Sequence, residues 1–201
     1  MQIDSARYPL RDLVEDDRVA FVTYQTDPRY RALYDIDEGD TRANALFDLF
    51  MRWQREEPRL KFQLGIFERK AGRLCGSAGL RMADPKDHEA ELGVELAPHC
   101  WGRYRLAMDV VSALIYHGFN HLGLLRIFGR TASGNRRVEK LARWFGAEIA
   151  AEREGDAWMS ARGWKEVDWS LSRTNWARAA SARPEHRRAG RSDEKATGDP
   201  S

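Results

Sequence analysis

The sequence predicts an α+β fold, with helices covering a mixed, mostly antiparallel twisted sheet of about seven strands. Three observations support this prediction. Two helical patterns come first, three consecutive strand patterns follow them, and single helices then alternate with the remaining strands. The loops between the three consecutive strands are short and contain Gly or Pro, which is typical of an antiparallel meander. We therefore expect the order β-α-α-β-β-β-α-β-α-β-β, with about four helices.

In the first third of the chain, one strand pattern is followed by two helical patterns. Residues 10–13 are predicted as a short strand, and residues 15–24 as a helix that opens with acidic residues, which the helix dipole favours. Pro28 ends this helix, because the residue before a proline avoids helical backbone angles. Asp40 then offers an N-cap for a second amphipathic helix, which Pro58 ends.

The rest of the chain supplies the remaining strands and two further helices. One helix lies between Pro98 and Gly123, and its apolar residues recur on one face. Another begins at Asn135 and ends before Gly146, because glycine is favoured just after the last residue of a helix. The strand patterns cover residues 62–67, 74–80, 89–96, 125–130, 149–152 and 167–171.

Composition bounds the classes of function. Hydrophobic residues make up 42% and charged residues 32% of the 201 residues, so the chain can bury a core. The net charge of +2 excludes a protein that holds a polyanion by bulk charge, and we expect no nucleic-acid partner. No apolar run reaches the length of a membrane span, and no basic and apolar leader opens the sequence.

Cysteine usage indicates a reducing compartment. Cys75 and Cys100 form no C-x-x-C pair, so we expect free thiols and a cytoplasmic protein. His99 and Cys100 are adjacent, but the sequence shows no further ligands at metal-binding spacing near them. The sequence therefore predicts no metal site, and a nucleophilic role for Cys100 would need a base and an orienting group.

The domain is expected to span residues 1–176, followed by a polar tail. Residues 177–201 contain no apolar residue larger than Ala and mix basic and acidic residues with Pro, Gly and Ser. Such a segment cannot offset its ordering entropy by burial, so we predict that it is disordered. A role as a nucleic-acid-binding or ribosome-binding arm is the alternative.

The segment from residue 89 to residue 107 carries the predicted chemistry. It comprises a strand, a short loop with Gly102, and a helix start that bears Arg103 and Arg105. Free backbone N–H groups, the positive end of the helix dipole and two guanidinium groups would meet there, which indicates a phosphate site. The P-loop and Rossmann fingerprints are absent. The alternative is an arginine-rich helix start on the surface without a ligand.

The strand in this segment has two chemically different faces. Its even-numbered residues are apolar, and its odd-numbered residues are Glu or Gly. The apolar face is expected to pack on a helix. Glu91 and Glu95 lie nearer the loop, where either carboxylate could serve as a general base in a cleft. The alternative for both is a solvated polar face.

Several short motifs, taken in order, resemble the GNAT superfamily of N-acetyltransferases. The loop Trp101-Gly102-Arg103 after a proline-terminated strand is one of them, and Asn135 at the next strand–helix junction is another. The subgroup that the sequence resembles most is that of the ribosomal-protein alanine N-acetyltransferases, from about residue 8 to residue 176. The other matching segments are residues 8–17, 90–94, 119–127, 135–146 and 164–176.

The resemblance implies acetyl-CoA as co-substrate and a sheet that is splayed between the fourth and fifth predicted strands. In that family, the pyrophosphate lies on the loop amides and the pantetheine arm pairs with the end of the fourth strand. The amide of Leu96 would stabilise the oxyanion during direct acyl transfer to an amine. Trp53, on the second helix, would border the acceptor site. The implied cofactor-binding residues are Leu96, Ala97, Trp101, Gly102, Arg103, Tyr104, Arg105, Leu106, Ala107 and Asn135.

The sequence departs from the family pattern at two places. Tyr104 or Arg105 replaces the middle glycine of the loop, which could narrow the approach of the pyrophosphate, although Arg105 could contact a phosphate itself. Val138 and Ala142 stand where relatives carry Ser and Tyr, groups that can assist the leaving thiolate. These departures leave open a second hypothesis, a non-catalytic acyl-CoA-binding or regulatory module of the same fold.

The chemistry of amines favours some acceptors over others. An α-amino group has a reference pKa of ~7.7–8.0, against ~10.4 for Lys, so a modest base suffices to deprotonate it. We therefore expect a protein N-terminal α-amine or a small-molecule amine as the acceptor. A homodimer is compatible with the sequence, as is a monomer.

Overall fold

The computed structural model describes residues 1–5, 7–34 and 39–182. By its internal contacts the chain divides into two compact units, Met1–Gly129 and a second unit that begins at Arg130. Each unit combines helices with strands, so the predicted α+β class is confirmed.

The first unit contains four helices and most of the strands. The helices are α1 (Arg18–Gln25), α2 (Pro28–Tyr34), α3 (Asp40–Trp53) and α4 (Tyr104–Asn120). Short 3-10 turns cover Glu15–Asp17, Pro85–Asp87 and Pro98–Cys100. The strands are β1 (Gln2–Ile3), β2 (Leu10–Arg11), β3 (Lys61–Phe67), β4 (Leu74–Arg81), β5 (Glu89–Leu96) and the start of β6 (Arg126–Ala132).

The strands of the first unit follow one another in sheet order from β1 to β6. The pairs from β1 to β5 are antiparallel, whereas β6 runs parallel to β5. Short turns connect β3 to β5, as the meander prediction requires. The parallel pair needs a longer crossover, which α4 provides.

Helix α4 covers the apolar face of this sheet. The even-numbered residues of β5 share that face with Leu80 of β4, which is completely buried. Leu106, Val110 and Leu114 of α4 are also fully buried, at the spacing of one helix face. A Cβ atom at Gly118 would lie 3.0–3.1 Å from the side-chain ends of Ile127, Leu124 and Leu80, so α4 packs tightly here. The predicted packing of the apolar face on a helix is confirmed.

Helices α1 and α3 pack against each other and against β4 and β3, respectively. Their contact is an aromatic cluster. The ring of Phe21 lies 5.1 Å from Tyr24, 5.4 Å from Phe47 and 5.8 Å from Phe50, each in an edge-to-face arrangement. Such pairs stabilise the packing beyond their buried area by about 0.5–1.5 kcal/mol each. The cluster fixes α1 in the position from which its last residues reach the polar face of the sheet.

The second unit holds the remaining elements. They are α5 (Arg136–Phe145), β7 (Glu148–Glu154), α6 (Ala157–Ser160), β8 (Lys165–Ser172) and α7 (Arg173–Ser181). The sheet order there is β6, β8, β7, and β7 is antiparallel to β8. The described residues thus contain eight strands and seven helices, against the expected seven and four.

The additional elements have local causes. Gln2 and Ile3 pair with Arg11 and Leu10, which adds a two-residue strand that is too short to show a period. Pro28 does interrupt α1, but it also begins α2, because proline is favoured at the first helical position, where its missing N–H costs nothing.

The end of the domain differs from the prediction. The closing strand stops at Ser172, whose side chain accepts a hydrogen bond of 3.0 Å from the amide of Asn175 and so caps α7. Helix α7 runs to Ser181, so the expected boundary after residue 176 falls inside a helix. Residues 183–201 of the predicted tail lie outside the described residues. Among the residues that the structure describes, no helix is long and apolar enough to cross a membrane.

Candidate active site

Some backbone groups of β5 point away from β4, toward the other edge of the strand. The amide of Ala97 donates a hydrogen bond of 2.8 Å to the carbonyl of Cys75. Because hydrogen-bonded and non-bonded residues alternate in an antiparallel pair, the backbone groups of Val94 and Leu96 point away from β4. They face the side on which β6 lies.

The pairing of β5 with β6 stops before it reaches these groups. It comprises three residue pairs and ends at Glu91 and Phe128. Among the described residues, the amides of Val94 and Leu96 therefore have no strand partner on this side. The fourth and fifth expected strands are β5 and β6, because the short strand β1 was not expected. The predicted splay between them corresponds to the point where their pairing ends.

Trp101 closes part of the same edge. Its indole Nε1 donates a hydrogen bond of 2.8 Å to the carbonyl oxygen of Leu96, and its ring packs on the apolar core. The carbonyl of Leu96 therefore has a partner, whereas its amide has none among the residues that the structure describes. Ala97 uses its own amide within the fold. Leu96 and Ala97 are the two predicted strand-end residues. In the described part of the chain, only Leu96 has an amide without a partner at the edge where β5 is not paired with β6.

The loop after Trp101 presents two unpartnered amides. The amide of Arg103 donates to the carbonyl of Cys100 at 3.3 Å, and that of Tyr104 to the carbonyl of Gly102 at 3.0 Å. Within the described residues, the amides of Gly102 and Arg105 have no such partner. Gly102 has a φ of 82°, and a Cβ atom added there would meet no other atom within 4 Å, so the loop is open at this point. The positive end of α4 begins directly after it.

The two arginines of this loop have different environments. The Nη1 atom of Arg103 lies 3.5 Å from an oxygen of Glu68. The negative charge at Cys100 and a hydrogen bond with Tyr8 raise the pKa of the Arg103 guanidinium. Arg105 is exposed and forms no ion pair with any described residue. Arg103 thus has an ion-pair partner within the protein. The expectation that both guanidiniums converge on a phosphate stays a prediction.

The remaining predicted loop residues differ in burial. Tyr104 exposes 48% of its surface, so its ring lies outside the core. The side chain of Leu106, in the first turn of α4, is fully buried, so only its backbone could face a ligand. Ala107 is half-buried.

Glu95 lies at the centre of a partly buried polar cluster. Its Oε2 accepts a hydrogen bond of 3.0 Å from Nε2 of Gln25, the last residue of α1. The same nitrogen lies 3.3 Å from the hydroxyl of Tyr30, on α2. Gln25 and Tyr30 are buried, at 4% and 2% exposure, so the carboxylate is oriented by neutral groups without a cationic partner among these contacts.

Glu91 has a different surrounding. The guanidinium of Arg81 lies 3.4 Å from its carboxylate and also covers Gly93, the residue between the two glutamates. Arg81 in turn donates a 3.1 Å hydrogen bond to the side chain of Gln63. Gln63 donates to Ser77, which also accepts from Tyr24 at 3.4 Å. Glu91 is thus an ion-paired member of a structural network.

Two other predicted residues have structural contacts. In the second unit, Oδ1 of Asn135 accepts a 3.2 Å hydrogen bond from the amide of Val138, so Asn135 is the N-cap of α5. In the first unit, Trp53 packs on Phe50, with ring centroids 5.4 Å apart, and Nζ of Lys61 lies 5.2 Å from its ring. Their predicted roles toward the cofactor and the acceptor stay predictions.

Sequence analysis missed the neighbour of His99 and Cys100. Cys75 reaches them from the start of β4, and the ligand atoms of the three residues lie within 4.8 Å of one another. The argument that His99 and Cys100 lack a further metal ligand is therefore wrong. A hydrogen bond with Cys75, together with the charges of nearby arginines, lowers the pKa of the Cys100 thiol to about 7, and the same pairing raises the pKa of Cys75.

Comparison with known proteins identifies the family. The model of the acetyltransferase (GNAT) domain matches residues 7–148. The chain belongs to the GNAT acetyltransferase family. The predicted superfamily, its fold and the class of acyltransferase are thereby confirmed. The ribosomal-protein alanine subgroup stays a prediction.

Individual GNAT relatives agree with this assignment. The chain is 28% identical over 142 residues to the uncharacterized N-acetyltransferase YoaA of Bacillus subtilis, which covers 69% of this chain and 78% of that protein. The structure of spermidine N-acetyltransferase from Vibrio cholerae, in complex with CoA and spermine, has a TM-score of 0.71 at 14% identity and covers 86% and 99% of the two chains. A GNAT-family acetyltransferase from Bacillus anthracis has a TM-score of 0.66 at 16% identity and covers 86% and 98%. At these identities the two structures show a shared fold.

Proposed function

We propose that this GNAT protein transfers the acetyl group of acetyl-CoA to a primary amine in one direct step. The amine nitrogen forms a bond to the thioester carbonyl carbon, the carbon–sulfur bond breaks, and CoA leaves as a thiolate. The amine gives up a proton to a base, and a proton returns to the thiolate or to water. The observation that carries this proposal is the amide of Leu96, which has no strand partner among the described residues where β5 extends beyond its pairing with β6.

The Leu96 amide is suited to the oxyanion that forms during the transfer. A backbone N–H held by rigid structure stabilises developing charge without reorganisation. The bond from Trp101 to the Leu96 carbonyl fixes this peptide and joins the strand end to the loop that begins at Gly102. The amides of Gly102 and Arg105, at the positive end of α4, then offer donors for the cofactor's pyrophosphate.

Glu95 is the better candidate for the base. Its carboxylate is held by Gln25 and faces no cation in that contact, so proton acceptance does not break an ion pair. Glu91 would first have to separate from Arg81. Both glutamates project from the same face of β5, and Glu95 is adjacent to Leu96. The proposed proton path therefore begins at the amine and ends on Glu95, directly or through a water molecule.

A single oriented carboxylate favours an amine that loses its proton readily. Protein N-terminal α-amines and small-molecule amines of low pKa meet this condition better than lysine does. The polyamine bound by the Vibrio cholerae structure is a ligand of that protein, and it makes polyamines a class worth including in a substrate screen. A cytoplasmic location, a homodimer, and the absence of membrane and nucleic-acid partners stay predictions from the sequence.

The test combines binding with turnover. At one hundred times its Kd, acetyl-CoA should stabilise the protein by about 2.7 kcal/mol, which thermal melting detects. Release of free CoA thiol is then followed with N-terminal peptides, lysine peptides whose α-amine is blocked, and polyamines. Stabilisation together with amine-dependent thiol release supports the proposal.

Two results would contradict it in different ways. Stabilisation by acetyl-CoA without thiol release for any amine favours the non-catalytic module, for which Val138 and Ala142 are the sequence argument. A melting temperature that acetyl-CoA leaves unchanged would reject the cofactor site itself.

A further inference from the structure

A buried pair of cysteines and a neighbouring histidine form a cluster outside the acyl-transfer residues. Cys75 is the second residue of β4, and Cys100 ends the turn Pro98–Cys100. Both are completely buried, whereas His99 is exposed. The two sulfur atoms and a ring nitrogen of His99 all lie within 4.8 Å of one another. The geometry points to a zinc site with Cys75, Cys100 and His99 as its protein ligands.

The backbone fixes the two cysteines relative to each other. The amide of Ala97 donates to the carbonyl of Cys75, and the carbonyl of Ala97 accepts from the amide of Cys100, both at 2.8 Å. One fully buried residue thus anchors both ligands. In tetrahedral zinc sites, Zn–S bonds of about 2.3 Å place two sulfurs about 3.8 Å apart. Side-chain adjustments of about an ångström or less therefore suffice to bind the ion.

The chemistry of the ligands selects the metal. Two thiolates and one imidazole are a typical ligand set for Zn²⁺, which is borderline-soft and accepts tetrahedral geometry readily. The His99 ring also hydrogen-bonds the backbone of Leu74, and such a second contact orients a ligating imidazole. Among the described residues, no fourth Cys, His, Asp or Glu joins the three within this distance. Water from the exposed side of His99 completes the coordination.

The charges around the cluster are compatible with a dication. Glu68 lies between two arginines, 3.2 Å from Arg73 and 3.5 Å from Arg103, so these three groups carry a net charge of about +1. Zinc binds both cysteines as thiolates, and the two thiolates neutralise the charge of Zn²⁺. The zinc–dithiolate unit is therefore neutral and adds no net positive charge beside the arginines.

The bound zinc would have a structural role next to the cofactor loop. It would join the start of β4 to Cys100, which immediately precedes Trp101 and Gly102. This site does not depend on the proposed acyl transfer, because none of its ligands belongs to the residues assigned to that reaction. Failure of either proposal therefore leaves the other one intact.

Metal analysis of the full-length protein tests the site. The protein is purified under reducing conditions with zinc in the medium, without a histidine tag, and zinc is measured by mass spectrometry. Wild type should contain about one zinc per chain, and the Cys75→Ser and Cys100→Ser variants less than about one tenth of that. His99→Asn should weaken zinc binding by more than about 100-fold, because even the loss of second-shell partners costs 10–100-fold. His121→Asn, another exposed histidine, is the matched control and should keep its zinc.

A second measurement avoids variants that fail to fold. Metal-free wild type, reduced and folded, is titrated with Zn²⁺ against a chromophoric chelator, and with Co²⁺ to detect thiolate-to-cobalt charge transfer. Binding of one ion with a thiolate band supports the site. A zinc-free wild type that neither competes with the chelator nor shows the band overturns it. The same holds if hydrogen peroxide converts both thiols to a disulfide at an equal rate with and without Zn²⁺.

Discussion

Gln25 and Glu95 are joined by a hydrogen bond of 3.0 Å, although they are 70 positions apart in the sequence. Gln25 is the last residue of α1, and Glu95 is the penultimate residue of β5. The bond attaches the end of a helix to the strand whose edge remains open, and it orients the carboxylate toward neutral partners. This contact distinguishes Glu95 from Glu91, which faces Arg81.

Removal of the Glu95 charge should affect turnover more than binding. Glu95→Gln keeps the shape of the side chain but cannot accept the amine proton, so kcat should fall by about 10²–10⁴ while the affinity for acetyl-CoA changes little. Steady-state kinetics with the acceptor found in the screen give both values. In wild type the rate should rise with pH until base and amine are both deprotonated.

Glu91→Gln is the matched control for this experiment. Glu91 is the same type of residue on the same face of β5, but its carboxylate forms an ion pair with Arg81. We expect its kcat to stay near that of wild type. A large loss in Glu91→Gln alone would assign the base to Glu91. If both variants turn over normally, catalysis depends on positioning and on the amine's own pKa.

The side-chain carboxamide of Gln25 should influence turnover by orienting the carboxylate of Glu95. Gln25→Leu replaces the side-chain donor with an apolar side chain of comparable volume, so the Glu95 carboxylate loses its orientation. We expect kcat to fall by about tenfold or more, with an altered pH profile and little change in KM for acetyl-CoA. Equal losses of kcat in Glu95→Gln and in the double variant that also carries Gln25→Leu would show that Gln25 acts only through Glu95. Additive losses would contradict this interpretation.

The loop assignment is tested at Gly102. Gly102→Glu places a carboxylate where the pyrophosphate is proposed to bind, so the stabilisation by acetyl-CoA should disappear. The positive φ itself costs about 1–2 kcal/mol for other residues. Gly123→Glu is the matched control, because Gly123 also has a positive φ of 68° and no atom within 4 Å, at the far end of α4. The control should lose stability but still bind acetyl-CoA; equal binding by both variants would reject the loop site.

Substitution of Arg105 should affect acetyl-CoA binding, whereas substitution of Arg103 should affect stability. Arg105→Ala removes an exposed guanidinium without a protein partner in the described residues, so it should weaken acetyl-CoA binding by about tenfold, and less at high salt. Arg103→Ala should lower the melting temperature instead, because Glu68 loses a cation. Calorimetric titration at two salt concentrations measures the first effect. If only Arg103→Ala weakens binding, the assignment of the phosphate contact to Arg105 is wrong.

Local patterns in the sequence predicted the elements that carry the site. The alternation of Glu and apolar residues gave β5 with its observed bounds, Glu89–Leu96, because burial of one face imposes a period of two. Gly102 was correctly expected in an open loop before a helix. Such features depend on neighbours in the chain, and a single sequence contains them.

Contacts between distant segments could not be predicted in the same way. The pairing of Cys75 with Cys100 depends on the register of β4 and β5, which no local spacing encodes. The cap at Asn135 is visible in the sequence as a helix start, yet whether its side chain serves the backbone or a ligand depends on geometry. Likewise, nothing in the sequence shows that Glu68 pairs with Arg103 and, within the described residues, not with Arg105.

The end of the chain offers a final prediction about stability. Within the second unit, α7 packs closely on the turn after α5. A side chain at Gly146 would meet the carbonyl oxygen of Asn175 at 2.8 Å and the Cβ atom of Ala179 at 3.0 Å. Truncation after residue 176 removes Ala179 and the last turns of α7, so the free energy of unfolding should fall by more than about 1 kcal/mol.

Truncation after residue 182 is the matched control, because it leaves α7 complete. The removed residues are mostly charged or polar and include no apolar residue larger than Ala. The free energy of unfolding should therefore change by less than about 0.5 kcal/mol, with acetyl-CoA binding unchanged. Urea denaturation of both truncated proteins measures the difference. If both deletions are neutral, α7 contributes little to stability and the boundary expected after residue 176 is adequate. A large loss in the shorter deletion would instead show that residues 183–201 dock on the folded protein.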